Sequence, residues 1–259
     1  MSALAEQTDL SGRVVVITGG AGYLAGEIAQ GFAEAGANVA LADVAERPCE
    51  ERAAGLSGLG SRAMALEVDV ANEQSVVDMA GSAIAEFGHI DVLVNTAGRT
   101  FFKTPEALTL EEWDTTWQTN VTGTFLCSRT VGPHMVERGA GSIINFGSIY
   151  GIVAADQSIY GDSGWNSSPA YAASKAAIIH LTHYLAKYWG PRNVRVNSVS
   201  PGGVFNDQDA GFIQRYSAKT PMGRMADRTD VTGAVLFLAS DGAAYVTGQN
   251  LAIDGGFSL

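Results

Sequence analysis

Val14-Val15-Val16-Ile17-Thr18-Gly19-Gly20-Ala21-Gly22 decides how this chain folds. Four consecutive apolar residues mark a strand buried on both faces, and the run stops at a glycine turn. A helical pattern follows, with Leu24, Ile28, Phe32 and Ala35 on one face and Gly36 as its stop. Strand, turn and helix together make a phosphate cradle: N–H groups at the helix start face the ligand, and glycine lets the backbone approach it closely. Gly19, Gly22, Tyr23 and Leu24 are the positions that would line it.

The next strand, Asn38-Val39-Ala40-Leu41-Ala42-Asp43, ends in a carboxylate two dozen residues after Gly19. An acid there accepts hydrogen bonds from an adenosine ribose and repels a 2′-phosphate, which favours NAD over NADP. A strand-ending aspartate also serves in some chains only to cap the following turn. The alternation continues with a strand at 63–68, a helix carrying Val76, Val77, Ala80, Ile84 and Phe87, and strands at 91–95, 142–146, 194–199 and 249–253. Repeated βα units give a parallel sheet. The expected fold is α/β: one doubly wound Rossmann-type domain over 1–259, with seven parallel strands flanked by helices. Asn95-Thr96-Ala97-Gly98, Gly147-Ser148 and Pro201-Gly202-Gly203 each end a strand in a turn. Those turns gather at the carboxyl edge, where ligands of such sheets bind.

Thr109-Leu110-Glu111-Glu112 is a capping-box pattern that opens one long helix running towards Gly139. Asn120 in its middle is a poor helix former, which implies a polar task. Residues 203–226 carry no clean strand pattern and read as a mobile cover with a short helix around 212–217.

Ser168-Pro169-Ala170-Tyr171-Ala172-Ala173-Ser174-Lys175 reads as a helix start, with Ser168 as the cap and Pro169 in the first helical position. Tyr171 and Lys175, four apart, project from one face and set an ammonium beside a phenol. Bringing a tyrosine from about 10 to near neutrality takes about 3–4 kcal/mol, which an adjacent ammonium in a water-poor site would largely supply. A phenol so tuned exchanges a proton with an alcohol or carbonyl. The same pair also occurs as a packed ring and a solvated amine; the surrounding turns favour catalysis.

A formal charge of −11 argues against nucleic acid, whose phosphates call for a basic surface. Cys49, Cys127 and four scattered histidines offer neither a disulfide framework nor a metal site, and a reducing cytoplasm is the simplest setting. Positions 1–10 lack the apolar core of a signal peptide, and no stretch approaches the roughly 20 apolar residues that span a bilayer.

Taken together, Thr18-Gly19 with its glycine turn, Asp69-Val70, Asn95-Thr96-Ala97-Gly98, Asn120, Ser148, Tyr171 with Lys175, and Pro201-Gly202 resemble the short-chain dehydrogenase/reductase family over essentially the whole chain. The resemblance implies that Tyr171 is the general acid/base, that Ser148 bonds the substrate oxygen and that Lys175 also holds the nicotinamide ribose. It implies that Asn120 positions the water of a proton exit. Asp69 and Val70 would face the adenine, Asn95, Ala97 and Gly98 would line the cofactor groove, and Pro201, Gly202 and Val204 would border the nicotinamide. It further implies a homotetramer assembled through the Asn120 and Tyr171 helices and the last strand.

The chain departs from the family pattern in four places. Tyr23 and Ala25 stand where two further glycines usually fall, with Gly26 following. Thr96 replaces an asparagine, and Asn206 a threonine. The interval from Ser148 to Tyr171 is longer than usual, the extra polar material lying near 156–167. Tyr160 and Trp165 in it would stack on a sugar face, with Asn, Asp and Ser bonding hydroxyls. The expected function is NAD-dependent interconversion of a secondary alcohol and a ketone or lactone, on a sugar or polyol. Alternatives are a 3-oxoacyl thioester or hydrophobic ketone reductase, with Arg99, Lys103, Arg215 and Lys219 receiving an anionic group, and a non-catalytic NAD(H)-binding scaffold or sensor.

Overall fold

The computed structural model describes residues 7–259. Positions 1–6 of the segment read above for a signal peptide lie outside the described residues. Seven strands, β1 (Val14–Thr18), β2 (Asn38–Asp43), β3 (Ala63–Glu67), β4 (Val92–Asn95), β5 (Gly141–Phe146), β6 (Val194–Pro201) and β7 (Asn250–Ile253), form one sheet. Their order is β3-β2-β1-β4-β5-β6-β7, and all neighbours pair in parallel. The chain winds from β1 to one edge, then returns to β4 and proceeds to the other. The reversal opens a crevice above β1 and β4.

Helices α1 (Tyr23–Glu34), α2 (Glu46–Ser57), α3 (Glu73–Phe87), α4 (Leu110–Trp117), α5 (Gly123–Arg138), α6 (Pro169–Trp189), α7 (Ala210–Lys219) and α8 (Arg228–Ala239) complete the main elements. Successive strand residues point to opposite faces, so each strand feeds two cores. Val15, Ile17, Val92, Val94 and Ile144 pack with Phe32 of α1, Leu56 of α2 and Val231 and Val235 of α8. Val16, Leu93 and Ile143 pack on the other side with Met79 of α3, Val131 and Met135 of α5 and Trp189 of α6. Burial on both faces is why the strands read as unbroken apolar runs.

Three local features differ from the sequence reading. Helix α2 has no counterpart there, because only Cys49, Ala53 and Leu56 of its twelve residues are buried, too thin a stripe to register as a period. The helix opened by the Thr109 capping box is not uniform: residues Gln118–Thr122 form a π-helical turn between α4 and α5, centred on Asn120. Ser168 is the N-cap of α6 with Pro169 after it, yet its side chain makes no capping bond and its buried Oγ has no partner.

Where the apolar core gives way to the carboxyl edge, the strands carry a polar rung. Thr18, Asn95, Asn145, Ser198 and Asn250 stand opposite one another on five successive strands. Asn95 Nδ2 donates to Asn145 Oδ1 at 2.9 Å, Asn145 Nδ2 to Thr182 Oγ1 of α6 at 2.9 Å, and Ser198 Oγ to Asn250 Oδ1 at 2.9 Å. A buried amide without its acceptor costs its desolvation, so the rung fixes α6 against β5. Thr182→Val, which keeps the shape and removes the acceptor, should lower unfolding free energy by about 1–3 kcal/mol in urea titration.

Candidate active site

The residues predicted for catalysis converge from four elements at the carboxyl edge. Ser148 follows β5 and is buried, and its Oγ accepts the Tyr150 N–H at 3.2 Å. Tyr171, on the first turn of α6, is hydrogen-bonded to Ser148 and half-buried at a pocket wall. Lys175, one turn on, is 4% exposed, and its Nζ donates to Phe146 O at 2.6 Å. Asn120 is fully buried: its Nδ2 donates to Ser174 Oγ at 2.9 Å and to Arg99 O, while its Oδ1 accepts the Arg99 N–H at 2.7 Å. Ser174 Oγ in turn donates to Tyr171 O, so Asn120 bears on the backbone that carries the tyrosine. The π turn turns Asn120 inward within a helical path, a frequent use of such turns at functional sites.

The ionisation of the pair departs from the expectation drawn from spacing. Burial pushes the Tyr171 phenol up, opposed by its bond with Ser148, and burial brings the Lys175 ammonium down to about 8. The ammonium lies 5.5 Å from the centre of the Tyr171 ring and its short bond goes to Phe146. In the protein alone, desolvation is the largest influence on the Tyr171 phenol.

Two cavities lie along this edge. One, of about 500 Å³, is lined by Gly19, Gly22, Asp43, Asp69, Val70, Ala97 and Gly98, which the sequence proposed for a cofactor, and by Thr96, Arg99 and Thr119. No side chain caps α1, and the first-turn amides of Tyr23, Leu24 and Ala25 have no acceptor within the helix. A Cβ on Gly19 would come within 2.8 Å of the Ala97 backbone, and one on Gly22 within 2.9 Å of Gly19 O. Open amides at a helix start, a glycine-lined floor and an acid at the end of β2 fit a dinucleotide. Asp43 also accepts the N–H groups of Ala21 and Ala45, so it caps its turn as well. Asn95 is not part of the lining, because its side chain is committed to the rung. Leu24 packs on the core, and the Tyr23 side chain turns away to donate to Phe205 O at 2.6 Å. Pro201 ends β6, buried behind the turn, and Val204 bridges to Ala226.

The second cavity, of about 200 Å³, opens onto Ser148 and Tyr171. Its walls are Thr100, Phe102, Ile149, Tyr150, Tyr160, Ser167, Gly202, Gly203, Phe212 and Tyr216. Of the residues near 156–167, Tyr160 and Ser167 reach it; Trp165 stays outside, 58% exposed, packed against Phe102 with the rings tilted by 43° and 4.8 Å between their centres. The cations considered for an anionic substrate are engaged elsewhere. Lys103 bonds Glu112, Arg215 bonds Ile159 O, Lys219 pairs with Asp156, whose carboxyl it holds down to about 2, and Arg99 stacks on Phe101.

Sequence reasoning missed Arg52. From α2 its guanidinium donates to Gly22 O at 2.7 Å and to Gly20 O, bracing the turn from behind. A Cβ on Gly26 would lie 3.2 Å from it, so the displaced glycine makes room for the arginine. No local signal links position 52 to a turn thirty residues earlier.

Fold and site together define an oxidoreductase that acts on CH–OH groups with a nicotinamide cofactor. A family model described as enoyl-(acyl carrier protein) reductase matches residues 20–258. The chain is 37% identical to D-threitol dehydrogenase of Mycolicibacterium smegmatis, over 96% of this chain and 94% of that protein. It is 34% identical to an NAD-dependent glycerol dehydrogenase of Listeria innocua, over 97% and 96%. A short-chain dehydrogenase of Leptospira borgpetersenii solved with NAD+ bound superposes with a TM-score of 0.89 at 37% identity, covering 100% of this chain and 97% of that one. The chain belongs to the short-chain dehydrogenase/reductase family. No helix among the described residues is long and apolar enough to cross a membrane.

Arg52→Met should raise the KM for the nicotinamide cofactor about tenfold with kcat changed by less than about twofold, since a hydrogen bond from a charged donor is worth about 1.5–3 kcal/mol and this one holds the glycine turn. Lys175 also sets a stability slope. Between the folded value of about 8 and the ordinary 10.5, the unfolded chain holds a proton that the folded one has released. Unfolding free energy relative to Lys175→Met should therefore rise with pH across that window, and a flat difference would contradict the buried ammonium.

Proposed function

We propose that the protein is an NAD-dependent dehydrogenase that converts a secondary alcohol of a small neutral polyol or sugar into a ketone or lactone. The observation that carries this reading is the pocket at Tyr171: hydroxyls and aromatic faces line it, no ionised side chain does, and the nearby cations are already paired. Phenol and serine hydroxyls match substrate hydroxyls as donors and acceptors, while ring faces suit the C–H surface of a polyol. The names of the threitol and glycerol dehydrogenases it resembles support the same class. Asp43, ending β2 beside the groove, supports NAD over NADP.

NAD held in the groove would supply the hydride acceptor. Ser148 holds the alcohol oxygen while Tyr171 takes its proton, so the carbon loses a hydride and the oxygen a proton in one oxidation. At neutral pH, below its folded value of about 8, Lys175 holds a positive charge beside the phenol, and Asn120 anchors α6 beneath it. A carrier-bound thioester needs a basic landing site; the ion pairs of Lys103 and Lys219 and the bond of Arg215 to Ile159 O speak against it. Retention of all four residues of the proton machinery speaks against a sensor without catalysis. Exposed Phe125 on α5, the stacked and exposed Tyr184 and Tyr188 on α6, and Leu251 on β7 suit assembly into a homotetramer. The free, buried Cys49 and Cys127 suit a reducing cytoplasm.

NADH formation should be followed across neutral polyols and aldoses, sugar acids and hydroxyacyl thioesters, with NAD and NADP. Neutral polyols or sugars should give the highest kcat/KM, NAD should exceed NADP by about tenfold or more, and Tyr171→Phe should lose about 10²- to 10⁴-fold. Because burial raises the phenol, oxidation should quicken and reduction slow as pH rises through the alkaline range. Preference for the anionic thioesters would sink the polyol reading.

A further inference from the structure

Tyr23 begins α1 directly after the β1 turn, and Phe205 follows β6 past the Gly202-Gly203 turn. Strands β4 and β5 lie between β1 and β6, so three strand spacings of about 4.8 Å separate the two positions at the carboxyl edge. Tyr23 Oη nonetheless donates to Phe205 O at 2.6 Å, joining the two banks of the crevice. Each end is held in place. The Arg228 guanidinium sits 4.7 Å from the centre of the Tyr23 ring and lies within ion-pair reach of Glu27 on α1. The Phe205 N–H donates to Ala226 O at 2.8 Å, and Val204 pairs with Ala226. Both partners are exposed at the surface, so water can replace the single bond between them.

We propose that the Tyr23–Phe205 hydrogen bond is a gate over the diphosphate stretch of the groove, one that must open for the dinucleotide to enter and to leave. This rests on the cofactor reading above. The amides of Tyr23, Leu24 and Ala25 are the anion cradle, and Lys175 and Gly202 mark the far end of the same edge. A dinucleotide spanning them runs between the banks that the bond joins. The bond forms in the protein without nucleotide, so it obstructs entry as well as exit. Tyr23 thereby acts as a positioning residue: it sets the rate of cofactor exchange and tethers the near end of the 203–226 cover to the cradle.

The test is stopped-flow fluorescence of NADH with wild type, Tyr23→Phe and Arg228→Gln, none of which removes a core residue. Tyr23→Phe deletes only the hydroxyl and keeps the stacked ring. Association and release should both quicken by about three- to tenfold, as loss of one hydrogen bond allows, while Kd moves less than about twofold. Arg228→Gln, which loosens the ring, should shift both rates in the same direction by less. In nucleotide-free protein, amide exchange across 203–209 should quicken in Tyr23→Phe, a readout that stands even if another dinucleotide is the physiological one. Either of two results would overturn the gate: exchange across 203–209 unchanged, or NADH association no faster than in wild type.

Discussion

Lys175 places an ammonium where only 4% of the residue reaches solvent, and a buried charge without a partner is among the most costly features a fold can carry. Its acceptor is the Phe146 carbonyl at the end of β5. That bond fixes α6 against the strand, and Ser148, two residues beyond Phe146, then falls beside Tyr171, one helical turn before Lys175. The chain leaving β5 passes so close to α6 that a Cβ on Gly151 would lie 2.7 Å from the Lys175 carbonyl carbon. Close approach and ammonium bond fix the same docking. Asn120, through Ser174, secures the helix from the opposite side. The geometry around Tyr171 therefore depends on one buried charge being satisfied by backbone rather than by a carboxylate. A carboxylate there would neutralise the positive charge beside the phenol.

The outer wall of the pocket at Tyr171 is built on a different principle. Ile149, Ile159, Tyr160, Tyr216 and Met225 form a small core of their own, joined by Phe212 and Phe257. Tyr216 stacks on Phe257 at 4.5 Å and accepts the Gly203 N–H, pegging α7 under the β6 turn. Arg215 to Ile159 O and Lys219 to Asp156 then tie α7 to the segment inserted before α6. Insertion and cover thus share one satellite core instead of hanging separately over the mouth.

This division explains what could be read from the sequence. The strands announce themselves because burial on both faces forces unbroken apolar runs, and the turns because glycine is required where backbone meets backbone. Tyr171 and Lys175 share a helix, so their spacing alone places them together, and Ser148 and Asn120 were recognisable from motif. Asn95 illustrates the limit: its position at a strand end is right, but register with Asn145 turns its side chain into the rung. The ionisation of Tyr171 was misjudged for a related reason. Spacing shows that a charge is adjacent; it shows neither the backbone acceptor that the charge faces nor how dry the site is. Arg52 and the walls of the pocket at Tyr171 are long-range pairings of unpatterned residues, and Trp165 shows that even a well-chosen aromatic can pack against the wall instead of forming it.

The altered glycine turn then has a physical account. What a diphosphate cradle demands is room for backbone at particular points. The two positions with none to spare are Gly19, whose φ of +69° and 2.8 Å approach to Ala97 both exclude a side chain, and Gly22, pressed on Gly19 O. Both are kept. Ala25 faces the core, where a methyl group packs at no cost to the ligand side, and Tyr23 sends its ring out to Phe205 and Arg228 while leaving its amide in the first turn. Gly26 has been taken over by Arg52, whose two bonds to the turn carbonyls hold the amides in place. A guanidinium behind the turn also adds positive potential where the helix start already favours an anion. Glycines whose space the ligand does not need are free to change, and here the change adds a brace on one side of the cradle and a bridge on the other.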